Sequence, residues 1–201
     1  MDNSRLAKWS DMFSGSFLFI TIFGPFALMS ACSVFYGITL GLNTLSGSII
    51  FNGAFSGSGD LLAGIMLGIG ANKCGRKGYY IFGWLLLIIS FSVYILAFHS
   101  FFLDYASLFT GKFASTTVFQ LMYLILYESV PTNIRATFVG IASAFARVGA
   151  AFSPILASYL SSDVGLVYAG IGVVCFCGSF FLTETKGKPL IERIVPTKME
   201  E

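Results

Sequence analysis

Residues 12–59 contain no Asp, Glu, Lys or Arg, an unbroken run of 48 positions. One crossing of a bilayer takes about 20 apolar residues, so the run is long enough for two. Gly41–Gly47 (GLNTLSG) places turn-forming residues near its middle. The rest of the chain agrees. Charged residues make up 11% of the sequence against about 25% in an ordinary soluble domain, apolar residues make up 56%, and the mean hydropathy is +0.81. Such a chain lacks the polar surface to cover a water-soluble globule, and it is far too apolar to stay disordered. Twelve dispersed Lys and Arg against ten Asp and Glu form no nucleic-acid patch. The chain reads as an integral membrane protein.

Splitting the charge-poor runs at their turns predicts an all-α membrane protein with six transmembrane helices, over about 17–41, 49–71, 79–98, 105–127, 136–162 and 164–183. Lys112 is the one charge in the fourth span and Arg147 the one charge in the fifth. A β-barrel is disfavoured, because these runs lack the alternating polar residues of a lumen face. Six spans bring both termini to one side. The segments on that side carry Arg5, Lys8, Lys73, Arg76, Lys77, Arg135, Lys186, Lys188, Arg193 and Lys198, and the opposite loops carry no basic residue. The positive-inside rule then places both termini in the cytoplasm. The expected organisation is a cytoplasmic segment over 1–13, a bundle over 14–183 and a cytoplasmic tail over 184–201. Met1–Asp11 is too polar, and the first span too long, for a cleavable signal peptide.

Enzyme chemistry has nothing to stand on. The sequence has no phosphate-binding glycine loop, no nucleophile elbow and no paired catalytic carboxylates. Cys32, Cys74, Cys175 and Cys177 have neither metal-site nor disulfide spacing. His99 stands alone at a span end and reads as an interfacial residue. We therefore expect no metal, no cofactor and no ATP-driven step.

Three charges within spans carry the information, because an ionised side chain at mid-bilayer costs about 2.5–3.5 kcal/mol and turns toward a partner or a wet cavity. Asp60 lies at the centre of the second span, on a stripe with Gly53, Gly57, Gly64 and Gly68. Small stripes let helices approach closely, so Asp60 is expected to face protein. Arg147 lies on a similar stripe with Gly140, Ala144, Ala151 and Pro154, and Pro154 is expected to kink its helix. Lys112 sits two turns into the fourth span and could either snorkel outward or serve the site. A purely structural alternative pairs Asp60 with Arg147 as a lock inside the bundle. The abundance of aromatic residues (22 Phe and nine Tyr) fits lipid-facing bulk, or an aromatic-lined pathway.

Several stretches together resemble one family. Gly68 followed by Asn72-Lys73-Cys74-Gly75-Arg76-Lys77 resembles the cytoplasmic loop motif of the major facilitator superfamily, with Asn72 where the stronger form has Asp. Glu128-Ser129-Val130-Pro131-Thr132-Asn133-Ile134-Arg135 resembles the E-x-x-P-T-x-x-R loop of its organic cation/anion transporter branch, and Gly111-Lys112-Phe113 the opening of that branch's tenth helix. Ala146-Arg147-Val148-Gly149 with Ser153-Pro154 is similar to the eleventh helix. Leu182-Thr183-Glu184-Thr185-Lys186-Gly187-Lys188-Pro189-Leu190 is similar to the P-E-T-x-G-x-P-L ending, with Thr183 in place of Pro. Phe35-Tyr36-Gly37 and Trp9-Ser10-Asp11-Met12-Phe13 resemble the seventh helix and the stretch before it.

The resemblance covers nearly the whole chain. It implies helices seven to twelve of a twelve-helix transporter, one half of a major facilitator fold. It further implies that Tyr36 and Arg147 line a substrate cavity, with Asp60 and Lys112 as further substrate-binding candidates. Gly75, Arg76, Lys77, Glu128 and Arg135 would form a cytoplasmic gate, although Glu128 and Arg135 could equally bridge their own short loop. An Arg at position 147 favours organic anions or zwitterions, since a cavity guanidinium attracts carboxylates. Gly64 stands where anion carriers commonly have a basic residue, and Leu62 where Pro is common. The expected activity is transport of small organic ions by alternating access, with the missing N-terminal half or a second copy as partner and the plasma membrane as the expected location. The alternative is a non-transporting scaffold, or a regulatory or inactive fragment that associates with full-length transporters.

Overall fold

Long runs of apolar residues without backbone donors or acceptors to spare can cross a bilayer only as helices, whose hydrogen bonds close within the segment. The computed structural model has that form. It describes residues 8–13, 15–44, 48–96, 101–159 and 164–190. A short helix α1 (Trp9–Met12) and a 3₁₀ turn (Gly15–Phe17) lead into six long helices: α2 (Leu18–Thr44), α3 (Ile49–Cys74), α4 (Arg76–Leu96), α5 (Phe101–Ser129), α6 (Thr132–Tyr159) and α7 (Val164–Ser179). No strand occurs among the described residues.

The six long helices coincide with the six expected spans to within a turn or so at each end. Four of them, α2, α3, α4 and α6, are long and apolar enough to cross a membrane by length and composition. The longest, α5, carries Asp104, Lys112 and Glu128, and α7 is an apolar helix of 16 residues. The sixth span was expected to run to residue 183. Its helix ends at Ser179, where turns over Phe180 and Phe181 start a non-helical segment. Of the expected loops at about 42–48, 99–103 and 161–163, residues 45–47, 99–100 (with His99) and 161–163 lie outside the described residues.

α2 and α5 form the centre. Ala27, Leu28, Ala31 and Val34 of α2 meet Leu121, Met122, Ile125 and Leu126 of α5 and Tyr80, Trp84 and Leu87 of α4 in one core, all buried. α6 packs on α2, α3 on α5, and α7 on α4. α3 and α6 are the least enclosed, so each leaves one long face open.

Those open faces correct the reading of the small stripes. Both helices carry two such stripes side by side. On α6 the stripe in contact with α2 is Ala142, Ala146, Gly149 and Ser153, all buried; Gly140, Ala144, Arg147 and Ala151 are exposed. On α3 the packed row is Asn52, Ser56, Gly59 and Ala63. A Cβ added at Gly53, Gly57, Gly64 or Gly68 would meet nothing within 4 Å. The stripes that hold the charges are thus not the ones used inside this bundle. Cys32 and Cys175 are buried, whereas Cys177 and Cys74 are exposed.

Candidate functional site

Asp60 of α3 sits at the edge of its packed row, with its side chain about one-third exposed. It meets Lys112 of α5, whose ammonium lies 3.6 Å from Asp60 Oδ2. Thr116, one turn on from Lys112, donates its hydroxyl to Asp60 Oδ1 at 2.5 Å. Lys112 does not reach outward. It is 1% exposed, donates to Thr39 Oγ1 of α2 at 2.7 Å and lies 3.1 Å above the ring of Phe35. The stem spans the three-helix junction, and the charge is met by a carboxylate, a hydroxyl and an aromatic face. The partner of Asp60 is therefore Lys112, not Arg147. Beside the pair a cavity of about 240 Å³ is lined by Phe35, Thr39, Asn52, Gly53, Ser56, Gly57, Asp60 and Lys112.

From Phe35 an aromatic series runs across the bundle. Phe35 stacks near Phe119 of α5 (centroids 6.3 Å apart), Phe119 meets Tyr123 edge-on at 5.1 Å, and the Tyr123 hydroxyl is 3.0 Å from Ser143 Oγ of α6. All four residues are half-buried. Tyr36 lies edge-on to Phe35 and is 45% exposed. Arg147 lies one helical turn beyond Ser143 on α6. It is exposed and makes no ion pair or hydrogen bond among the described residues. The series thus joins a charge-compensated pair at one end to a free guanidinium at the other. Nothing in the sequence marks Thr39 and Asn52 as part of this site, because the α2 and α3 faces that carry them cannot be matched to α5 without the fold.

The other candidates gather at the end of the bundle where α3 turns into α4. Gly75 makes that turn at φ +85°, a conformation open to glycine. The Glu184 carboxylate occupies the space a Cβ would need there. Glu184 then caps α4, accepting the backbone N–H of Arg76 (2.9 Å) and of Lys77 (3.2 Å). The Arg76 guanidinium pairs with Glu128 at the end of α5 at 3.2 Å, and the same Glu128 accepts the hydroxyl of Thr185. Lys77 Nζ donates to the carbonyl of Phe180 and Lys186 Nζ to that of Lys73. Arg135 does not bridge to Glu128; its Nε donates to the carbonyl of Val130 in its own loop. Residues 180–186 therefore act as a strap over the α3–α4 turn and α5, and Glu184, assigned no role from sequence, is its anchor.

Burial alone would raise the Glu184 pKa. The backbone N–H groups of Lys186, Arg76, Lys77 and Thr185 outweigh it and hold the carboxyl below its ordinary value of 4.5. A depressed carboxyl contributes stability that is fully present above the unfolded-state pKa and is lost as pH falls through the folded value. The expected result is that Glu184→Gln melts below the parent at pH 7 and that the gap closes below about pH 4, read from paired melting curves in detergent. A gap independent of pH would remove Glu184 as the ionised anchor.

No protein-family model matches the chain. Among curated proteins it is similar to an organic cation transporter-like protein of Drosophila melanogaster (28% identical over 168 residues, 80% of this chain and 29% of that protein). It is also similar to solute carrier family 22 member 16 of Bos taurus (30% identical, 85% of this chain and 31% of that protein) and to solute carrier family 22 member 6 of Danio rerio (29% identical, 87% and 32%). The chain spans about a third of the length of these relatives.

Proposed function

The chain is a homologue of the organic cation/anion transporters of solute carrier family 22, and from that premise we propose that it moves small organic ions across a membrane by alternating access, with anions or zwitterions preferred. One observation carries the preference. Lys112 is neutralised by Asp60, whereas Arg147 stands exposed with no partner among the described residues. The uncompensated charge along the aromatic series is therefore positive, and a guanidinium takes a carboxylate in bidentate geometry. Tyr36, Phe119 and Tyr123 offer faces for the body of an aromatic substrate.

The open faces of α3 and α6 call for a second six-helix bundle, an N-terminal half or another copy of this chain, since one bundle cannot enclose a pathway. Gly75, Arg76, Lys77, Glu128 and Arg135, with Glu184, form the gate at the basic end. The positive-inside rule puts that end, and both termini, in the cytoplasm, in our reading at the plasma membrane. The test is binding of 4-phenylbutyrate to the chain in lipid nanodiscs. Arg147→Ala is expected to weaken it at least about 10-fold, the loss of one charge-assisted pair, and Arg147→Lys to recover part of it. Equal affinity of parent and Arg147→Ala would refute the anion assignment.

A further inference from the structure

Asp60 and Lys112 form a salt bridge, but an incomplete one. At 3.6 Å the ammonium lies beyond hydrogen-bonding distance of Oδ2. Thr116 satisfies one site on Oδ1. A carboxylate offers about four acceptor sites, and this one is about a third exposed beside the 240 Å³ cavity. Lys112 cannot serve a ligand itself: it is 1% exposed and committed to Thr39 and the Phe35 ring. What the cavity presents is a carboxylate with unused acceptor sites, next to the hydroxyls of Thr39 and Ser56. Its charge is already balanced from behind.

That combination selects a group by hydrogen bonding rather than by charge. A second cation would meet Lys112, and a second anion would meet Asp60. A neutral donor, a hydroxyl or an amide N–H, meets neither and fills the open acceptor sites. The aromatic series that starts at Phe35 on the cavity wall runs from this cavity to Ser143 of α6, one helical turn from Arg147.

We infer that this cavity is a second subsite, which takes a neutral hydrogen-bond donor carried at the far end of the substrate's aromatic body from its carboxylate, with Asp60 as its acceptor and Lys112 as the residue that positions and neutralises Asp60. The inference rests on the organic-anion reading above and narrows it to anions with an aromatic body and a distal hydroxyl or amide.

The probes are 4-phenylbutyrate, 4-(4-hydroxyphenyl)butyrate and 4-(4-aminomethylphenyl)butyrate, titrated into the full chain in lipid nanodiscs. The hydroxylated probe is expected to bind about 10-fold tighter than the parent acid, the usual worth of a hydrogen bond to a charged acceptor, and the aminomethyl probe no tighter than the parent acid. Asp60→Asn is expected to cut the hydroxyl's advantage over 4-phenylbutyrate, both measured in the same variant, to about 2-fold or less, as a neutral acceptor replaces a charged one. Binding of 4-phenylbutyrate that still depends on Arg147 reports that the variant is folded. The double variant Asp60→Asn/Lys112→Met, which leaves no unpaired buried charge, is expected to behave alike. Equal affinities for the first two probes, with dependence on Arg147 intact, overturn the subsite alone. Tighter binding of the aminomethyl probe than of the hydroxyl probe overturns the preference for a neutral donor. Failure of 4-phenylbutyrate to bind, or to respond to Arg147→Ala, overturns the organic-anion reading beneath it.

Discussion

Asp60→Ala is expected to destabilise the bundle by about 3 kcal/mol, the cost of leaving a buried charge without its counter-ion. Lys112 is the buried member of the pair, with 2% of its side chain exposed against 34% for Asp60. Removing the carboxylate therefore strands a cation inside the three-helix junction, where it keeps just Thr39 and the ring of Phe35. The reverse change is milder. Lys112→Met fills the same space and leaves Asp60 with Thr116 and the open cavity, for an expected cost of about 1 kcal/mol. Combining the two removes the stranded charge, so the double variant is expected to recover about 2 kcal/mol of the loss from Asp60→Ala. Denaturant titration in detergent micelles, followed by fluorescence of the buried Trp84, gives the four corners of the cycle. Strict additivity, or a larger loss from Lys112→Met than from Asp60→Ala, would show that the two residues are not a coupled pair with the lysine inside.

That asymmetry, with the lysine inside and the carboxylate at the cavity, is not written in the sequence. The six helices were legible because charge-free runs and turn residues set their number and nearly their ends. Gathering of basic residues at one end was legible too: Arg76 pairs with Glu128, while Lys77 and Lys186 donate across the strap and the α3–α4 turn. Rotation of each helix about its axis was not. α6 offers Ala142/Ala146/Gly149/Ser153 and Gly140/Ala144/Arg147/Ala151 as neighbouring small faces. Both have the same spacing and similar side chains, so nothing local tells which one packs. α2 decides, by fitting the first. The pairing of charges was hidden for the same reason. Asp60, Lys112 and Arg147 are all costly in a bilayer, but whether Asp60 meets Lys112 or Arg147 depends on α3 packing on α5 and not on α6. Glu184 was hidden differently. Its role comes from backbone N–H groups at the start of α4, and such groups leave no mark in a list of side chains.

The choice of face on α6 gives the second large effect. Gly149→Ala is expected to cost about 3 kcal/mol, at the upper end for overpacking. The new methyl group would run into the carbonyl of Met29, which is α2 backbone and cannot turn aside as a side chain would. The two helices must then separate along the most extensive contact in the bundle, and Ala142, Ala146 and Ser153 lose their fit with them. Gly140→Ala is the matched control on the same helix, nine residues earlier. Its added methyl meets nothing within 4 Å, so the gain in helix propensity is expected to stabilise by up to about 1 kcal/mol. The two substitutions are chemically identical and differ only in the face they occupy, so the sign of the difference reports the rotation of α6 directly. Melting curves of both variants in one detergent check it. A loss at Gly140→Ala equal to that at Gly149→Ala would mean that the stripe bearing Arg147 is itself packed against a partner, and would move the open face elsewhere on the helix.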